Sequence, residues 1–157
     1  MEPVDAEELF AIFGDERTWW YDPQGRHVDL AQTRRYALMA AERWSAGLSY
    51  WTVRLQETGA VIGSGGVQRH EMTSWNLNYR LAPAAQGFGY ATELVAAALQ
   101  AAHEVDPTSP VIAWIDDHNI PSRRVAERAG LRDEGVRPTP NDGRPRVAYA
   151  DRRLPRP

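Results

Sequence analysis

Between residues 75 and 105 the chain passes from an alternating segment, with Trp75, Leu77, Tyr79 and Leu81 on one side, through Gln86-Gly87-Phe88-Gly89-Tyr90-Ala91 into a long helical run. Pro83 stops the strand, and Leu94, Val95, Ala98, Leu99 and Ala102 form the apolar stripe of a helix over Gly89 to Val105. This order of strand, glycine loop and helix constrains the fold more than any other feature. A helix start leaves backbone N–H groups unpaired and carries the positive end of the helix dipole. It is therefore a place for phosphate anions. Gly87 and Gly89 permit unusual dihedrals and a close approach of backbone to ligand where a Cβ would clash, and Ala91 stays small. Backbone amides there could hold a pyrophosphate without lysine. Taken alone, Gly-x-Gly reads first as a simple turn into a helix.

The flanking segments supply the rest of an α/β sheet. Residues 5–13 and Leu30 to Trp44 read as helices. Asp5 and Asp29 are their caps, Gly14 and Gly47 their stops, and Tyr36, Ala40 and Trp44 the stripe of the second. The stretch TWWYDPQGRH between them reads as a loop. Residues 49–56, 61–69 and Trp75 to Leu81 alternate as an antiparallel meander. VIAWI at 111–115 is a continuous apolar run, typical of a strand buried on both faces. A helix follows at Pro121 to Ala129, closed by Gly130, and LRDEGVR and RVAYADRRL read as two last strands. The expectation is a mixed, mostly antiparallel central sheet flanked by helices. Gly63-Ser64-Gly65-Gly66 is not a dinucleotide loop, because it lies inside a strand and no helix follows.

Composition narrows the chemistry. The 157 residues suit one domain, read here as 1–157. There is no cysteine, which removes disulfides, thiolate metal sites and a cysteine nucleophile. No metal site is expected. All 18 basic residues are arginine. Residues 1–29 hold eight acids and two arginines, a net of −6, while residues 122–157 hold ten arginines and five acids, a net of +5. The basic end suits a phosphate-rich cofactor or an acidic partner, or simply a solvated surface. The total of −3 argues against general nucleic-acid binding. The start MEPVDAEELF lacks a signal peptide's basic and apolar regions, and no run is long enough for a membrane span. The expectation is a cytoplasmic protein with no membrane and no nucleic-acid partner.

The six residues Gln86–Ala91 resemble, letter for letter, the (Gln/Arg)-x-x-Gly-x-(Gly/Ala) pyrophosphate signature of the GNAT superfamily of acetyl-CoA-dependent N-acetyltransferases. Asn119-Ile120-Pro121-Ser122 is similar to that family's Asn-x-x-Ser, and RAGL followed by EG is similar to its later motif. The resemblance runs from about residue 5 to 153. It implies a sheet whose fourth and fifth strands, in the family's order, splay apart. A pantetheine arm would enter there against backbone near Leu81 and Ala82. The pyrophosphate would rest on Gly87, Phe88, Gly89, Tyr90 and Ala91, with Gln86 and Thr92 at its edge. Asn119 would hold the arm from the other side, and Ser122 would lie near the thioester sulfur. Asn119 and Ser122 also read as the cap and first turn of the last helix, and both roles are compatible.

The resemblance also implies a branch and a set of catalytic groups. Many members place a tyrosine acid in the last helix, but SRRVAERAGL has none, and Tyr149 sits on the final strand. That absence, the two helices before the meander and the RHEMTSWNLNYRLAP segment resemble the Rim-type branch of ribosomal-protein N-terminal acetyltransferases. The implied acceptor is a primary amine, on a protein N-terminus or a small molecule. Attack would be direct in a ternary complex, since no cysteine can carry the acetyl group. Glu71 matches that branch's base, and Ser122 is the candidate partner of the leaving thiolate, with His70 a weaker base candidate. Trp19, Trp20, Tyr21, Trp44, Tyr50 and Trp51 either line an apolar or cation-binding pocket or pack the core. The branch's first edge strand is short or missing, which leaves an edge for a homodimer to cover. A non-catalytic acyl-CoA-binding module on the same scaffold is the alternative function. It shares the loop and lacks the roles of Glu71 and Ser122.

Overall fold

The computed structural model describes residues 1–70 and 73–155. Its elements follow the expected order: α1 (Ala6–Phe13), α2 (Leu30–Glu42), β1 (Tyr50–Arg54), β2 (Val61–His70), β3 (Ser74–Leu81), α3 (Tyr90–Val105), β4 (Val111–Ile115), α4 (Ile120–Arg128), β5 (Arg132–Pro138) and β6 (Pro145–Ala150). The strands form one six-stranded sheet in the order β1-β2-β3-β4-β6-β5. Every neighbouring pair is antiparallel except β3 with β4.

Strand alternation sorts the two faces. On β3, Trp75 and Leu77 join Val67, Val95, Ala98, Val111 and Ala126 in the main core under α3 and α4. Asn76, Asn78 and Arg80 therefore face the other way, toward α1 and α2, where Leu9, Phe13, Ala37, Ala40 and Tyr50 form a second core. The glycines of β2 have a packing cause. A Cβ on Gly65 would lie 2.7 Å from Leu94 Cδ2 and 2.6 Å from Asn78 O, so only glycine lets α3 sit this close.

Three local expectations change. Asp5 caps α1 only by position and makes no side-chain cap bond. Its carboxylate instead accepts from Thr52 Oγ1 and Arg54 Nη2, tying the first helix to β1. Those partners lie 47 and 49 residues away, beyond any local pattern. Helix α2 ends at Glu42, and Trp44 falls in a 3₁₀ turn over Arg43–Ala46. The tighter turn moves Trp44 off the stripe to 38% exposure, and Thr33, Ala37 and Ala40 are buried in its place. The stretch after α1 is not featureless. It forms 3₁₀ turns at Glu16–Trp19 and Pro23–Gly25, and a Cβ on Gly25 would stand 2.1 Å from the Trp19 ring.

Among the described residues no strand precedes Tyr50, and the Met1 ammonium donates to the Tyr50 carbonyl of β1 at 3.2 Å. No described helix is long and apolar enough to cross a membrane.

Candidate active site

The loop before α3 is built as an anion cradle. Gly87 and Gly89 both have φ of +87°, in the left-handed region that L side chains rarely adopt. Nothing in the protein lies within 4 Å of a Cβ built on either, so within the chain itself it is the dihedral that requires glycine here. Gly89 is the N-cap of α3, and its carbonyl takes the amides of Thr92 and Glu93. The amides of residues 87 to 91 find no backbone acceptor among the described residues. Gln86 Nε2 donates to Leu81 O at 3.3 Å, fixing the loop to the end of β3.

The adjoining slot comes from a parallel pair that hardly begins. β3 and β4 pair only at Trp75↔Val111 and Asn76↔Ile112. Trp75 donates its amide to Pro110 O, so odd-numbered residues of β3 turn their backbone toward β4. Past the splay, Tyr79 therefore presents N–H and C=O to an open slot and Leu81 its N–H, the Leu81 carbonyl being held by Gln86. Ala82 does not, since its amide goes to Ile62 O and its carbonyl takes the Ala85 amide.

A cavity of about 320 Å³ runs through slot and cradle. Of the residues singled out from sequence, Leu81, Gln86, Gly87, Gly89, Tyr90, Ala91, Thr92, Asn119 and Ser122 line it, and Ala82 and Phe88 do not. Phe88 is 70% exposed and stacks on Tyr90. Asn119 caps α4, its Oδ1 accepting from the Ser122 amide at 3.3 Å. Ser122 O accepts from the Tyr79 hydroxyl at 2.8 Å, so α4 is held against β3 across the slot. Burial pushes the Tyr79 phenol well above its ordinary value, which keeps it a donor. Arg124 and Arg128 of α4 also line this cavity. The sequence showed them only as part of a basic end, although their spacing of four on one helix was the available signal.

A second cavity, of about 290 Å³, shares Tyr21, Tyr79, Arg80, Asn119 and Ser122 with the first. Trp19, His27, Asn76, Asn78, Asp22, Asp116 and Arg146 are among its other walls. Asp22 and Asp116 both reach Arg146, at 3.6 and 3.5 Å. Of the aromatic residues named above, Trp19 and Tyr21 line this space, Trp20 lines the first cavity and Tyr50 a third. Trp44 and Trp51 line none of them. His70 ends β2 and lines the third cavity, away from the junction of the first two. Glu71 lies outside the described residues. Tyr149 is fully buried and bonds Arg123 and Glu127 on the α4 side.

His27 is buried, and its Nδ1 is 2.8 Å from Thr33 Oγ1. Desolvation, then the charge of Arg80, lower its pKa from 6.5 to about 4. The native site therefore refuses a proton that the unfolded chain accepts. His27 should contribute its full stability above pH 6.5 and lose it as pH falls toward 4, by at most about 1.4 kcal/mol per pH unit. Urea unfolding of His27→Gln across that window should show a shallower pH slope than the parent. Equal slopes would remove His27 as the cause.

The sequence matches the model of the acetyltransferase (GNAT) domain over residues 1–132. The chain belongs to that family, in which acetyl-CoA is the co-substrate. A GNAT-family acetyltransferase from Bacillus anthracis superimposes with a TM-score of 0.77 at 23% identity, over 96% of this chain and 90% of that one. RimL, a ribosomal-protein alpha-N acetyltransferase solved with coenzyme A, gives 0.78 at 16% identity over 96% and 89%. The aminoglycoside acetyltransferase AAC(6')-Ib, also solved with coenzyme A, gives 0.75 at 20% over 96% and 90%. At these identities the likeness is one of fold. No curated protein matches the chain.

Proposed function

We propose that residues 1–157 act as one N-acetyltransferase unit of the cytoplasm, transferring acetyl from acetyl-CoA to a primary amine by direct attack in a ternary complex. One observation carries this reading. The cavity over the α3 amides meets a second cavity at Tyr21, Tyr79, Arg80, Asn119 and Ser122, so two substrates can face each other at one junction. Helix-start amides without backbone acceptors among the described residues and positive-φ glycines fit a pyrophosphate, and the open backbone of Tyr79 with the Leu81 amide fits an extended amide-bearing arm. Arg124 and Arg128 add positive charge on the α4 side.

Acetyl-CoA supplies an activated acetyl thioester. The chain's residues hold it, exclude water and manage protons. The acceptor must lose a proton to attack, and Glu71 takes it, through water. Ser122, at the junction, donates a hydrogen bond to the departing sulfur. That proteins of this fold include a ribosomal-protein and an aminoglycoside acetyltransferase supports an amine as the acceptor.

Calorimetric titration with acetyl-CoA, followed by thiol release against amines and N-terminal peptides, tests the reading. Saturable binding with turnover is the expected result. Binding without turnover on any amine would replace it with a non-catalytic acyl-CoA module. Glu71→Gln should lower kcat by roughly 100-fold or more and leave the acetyl-CoA Kd unchanged. Normal turnover would take Glu71 out of the mechanism.

A further inference from the structure

Six arginines are partly buried among the described residues: Arg69, Arg80, Arg123, Arg137, Arg146 and Arg152. Five have a carboxylate within salt-bridge range: Arg69 with Asp106, Arg123 with Asp117, Arg137 with Glu134, Arg146 with Asp116 and Arg152 with Asp151. Arg80 has none. Removing a guanidinium from water without a counter-ion is costly, so the exception calls for a cause.

The surroundings of Arg80 hold it in place without neutralising it. Its guanidinium stacks 3.6 Å from the centre of the Trp19 ring, and Nη2 donates to Tyr21 Oη at 2.9 Å. Nε is buried with no hydrogen-bond partner among the described residues. His27, beside it, is neutral at physiological pH. Alternation on β3 sends the side chain to the α1–α2 face with Asn76 and Asn78, into the second cavity, on the opposite side of the sheet from α3. The acids of that cavity, Asp22 and Asp116, are already engaged by Arg146. Arg80 is thus an oriented, uncompensated cation beside the place where an acceptor must sit. Its planar fork keeps Nη1 without a hydrogen bond among the described residues, a donor left for a carboxylate.

Building on the transferase reading above, we propose that the acceptor bears a carboxylate close to its amine and that Arg80 binds it. Amino acids, and peptides with an acidic residue beside the N-terminus, carry that pair of groups. Simple amines, polyamines and aminoglycosides do not.

The test uses matched probes: free L-amino acids against their carboxamides, and peptides with Asp or Glu at the second position against Asn or Gln. The carboxylate member should win by roughly ten- to a hundredfold in kcat/KM, the size of a charge-assisted hydrogen bond to a partly buried arginine. Preference for the free acids points to a small-molecule acceptor, and preference among the peptides to a protein N-terminus. Arg80→Gln should collapse the acid-to-neutral ratio toward one, mainly through KM, and Arg80→Lys should restore part of it. Equal rates for acid and neutral probes in the parent, or a ratio unchanged by Arg80→Gln, would overturn the proposal.

A second readout does not depend on turnover. The Nε–H resonance of Arg80, assigned by its absence in Arg80→Gln, should shift on titration with sodium N-acetylglycinate and stay still with N-acetylglycinamide. If no amine is acetylated but this shift occurs, the transferase reading falls and the carboxylate site stands. No shift, or equal shifts with both, overturns the site.

Discussion

Gly89→Val should abolish measurable acetyl-CoA binding while the fold melts cooperatively. At φ of +87° a β-branched side chain is strained by roughly 1–2 kcal/mol or more. The residue escapes by rotating to negative φ, because nothing around its Cβ holds it in place. That rotation re-aims the peptide units that follow. The amides of Tyr90 and Ala91, two residues that line the cavity and whose N–H groups find no backbone acceptor among the described residues, would be re-aimed. Each amide-to-phosphate bond contributes about 1.5–3 kcal/mol, so losing two costs on the order of 10²- to 10⁴-fold in affinity. Gly59→Val is the matched control. Gly59 has φ of +72°, an equally empty Cβ position and a place in the β1–β2 turn. It should cost similar stability and leave acetyl-CoA affinity as it was. Calorimetry and thermal melts on both variants separate backbone strain from loss of the cradle. Unchanged affinity in Gly89→Val would mean that the loop is only a turn into a helix.

The order of elements was legible in the sequence because alternation and helical stripes are local patterns, and so was the Gln86–Ala91 cradle. What was missed is long-range or follows from small rotations. Asp5 stands at the first helical turn, where a cap is expected, yet Thr52 and Arg54 take its carboxylate. Trp44 fits the stripe at i+8, but a 3₁₀ turn rotates it outward. Ala82 neighbours the slot, yet its amide goes to Ile62 of β2 and its carbonyl to the Ala85 amide. The sharpest case is Arg80. In sequence it is one arginine among 18, on the polar side of an alternating strand. Its meaning comes from Trp19 and Tyr21, about 60 residues earlier, and from a missing acid that no local reading could notice.

The largest effect on stability should come from Trp75→Ala, at the same splay that makes the slot. Trp75 is fully buried at the first β3–β4 pair, beside Val67, Val95 and Val111. Arg69 lies 3.8 Å over its ring and is itself anchored to Asp106 and Ser109. Truncation removes the ring from the core and the platform from Arg69. It should cost roughly 3–5 kcal/mol, with about 0.5–1 kcal/mol more from the lost cation–π contact. Against a total stability of about 5–15 kcal/mol for a domain, that is a large fraction. Trp75→Phe should be far milder. The indole Nε1 is buried without a partner among the described residues, so phenylalanine removes an unsatisfied donor while keeping most of the apolar volume. Urea midpoints of the two variants should therefore differ by more than the parent differs from Trp75→Phe. Equal losses would show that the indole edge, and not the volume of the ring, is what the core depends on. Acetyl-CoA adds a link from stability to function, since a ligand bound only by the native state raises the unfolding midpoint by mass action. If Trp75 is the pivot of the splay, its truncation loosens the slot, and saturating acetyl-CoA should then rescue Trp75→Ala by less than it stabilises the parent.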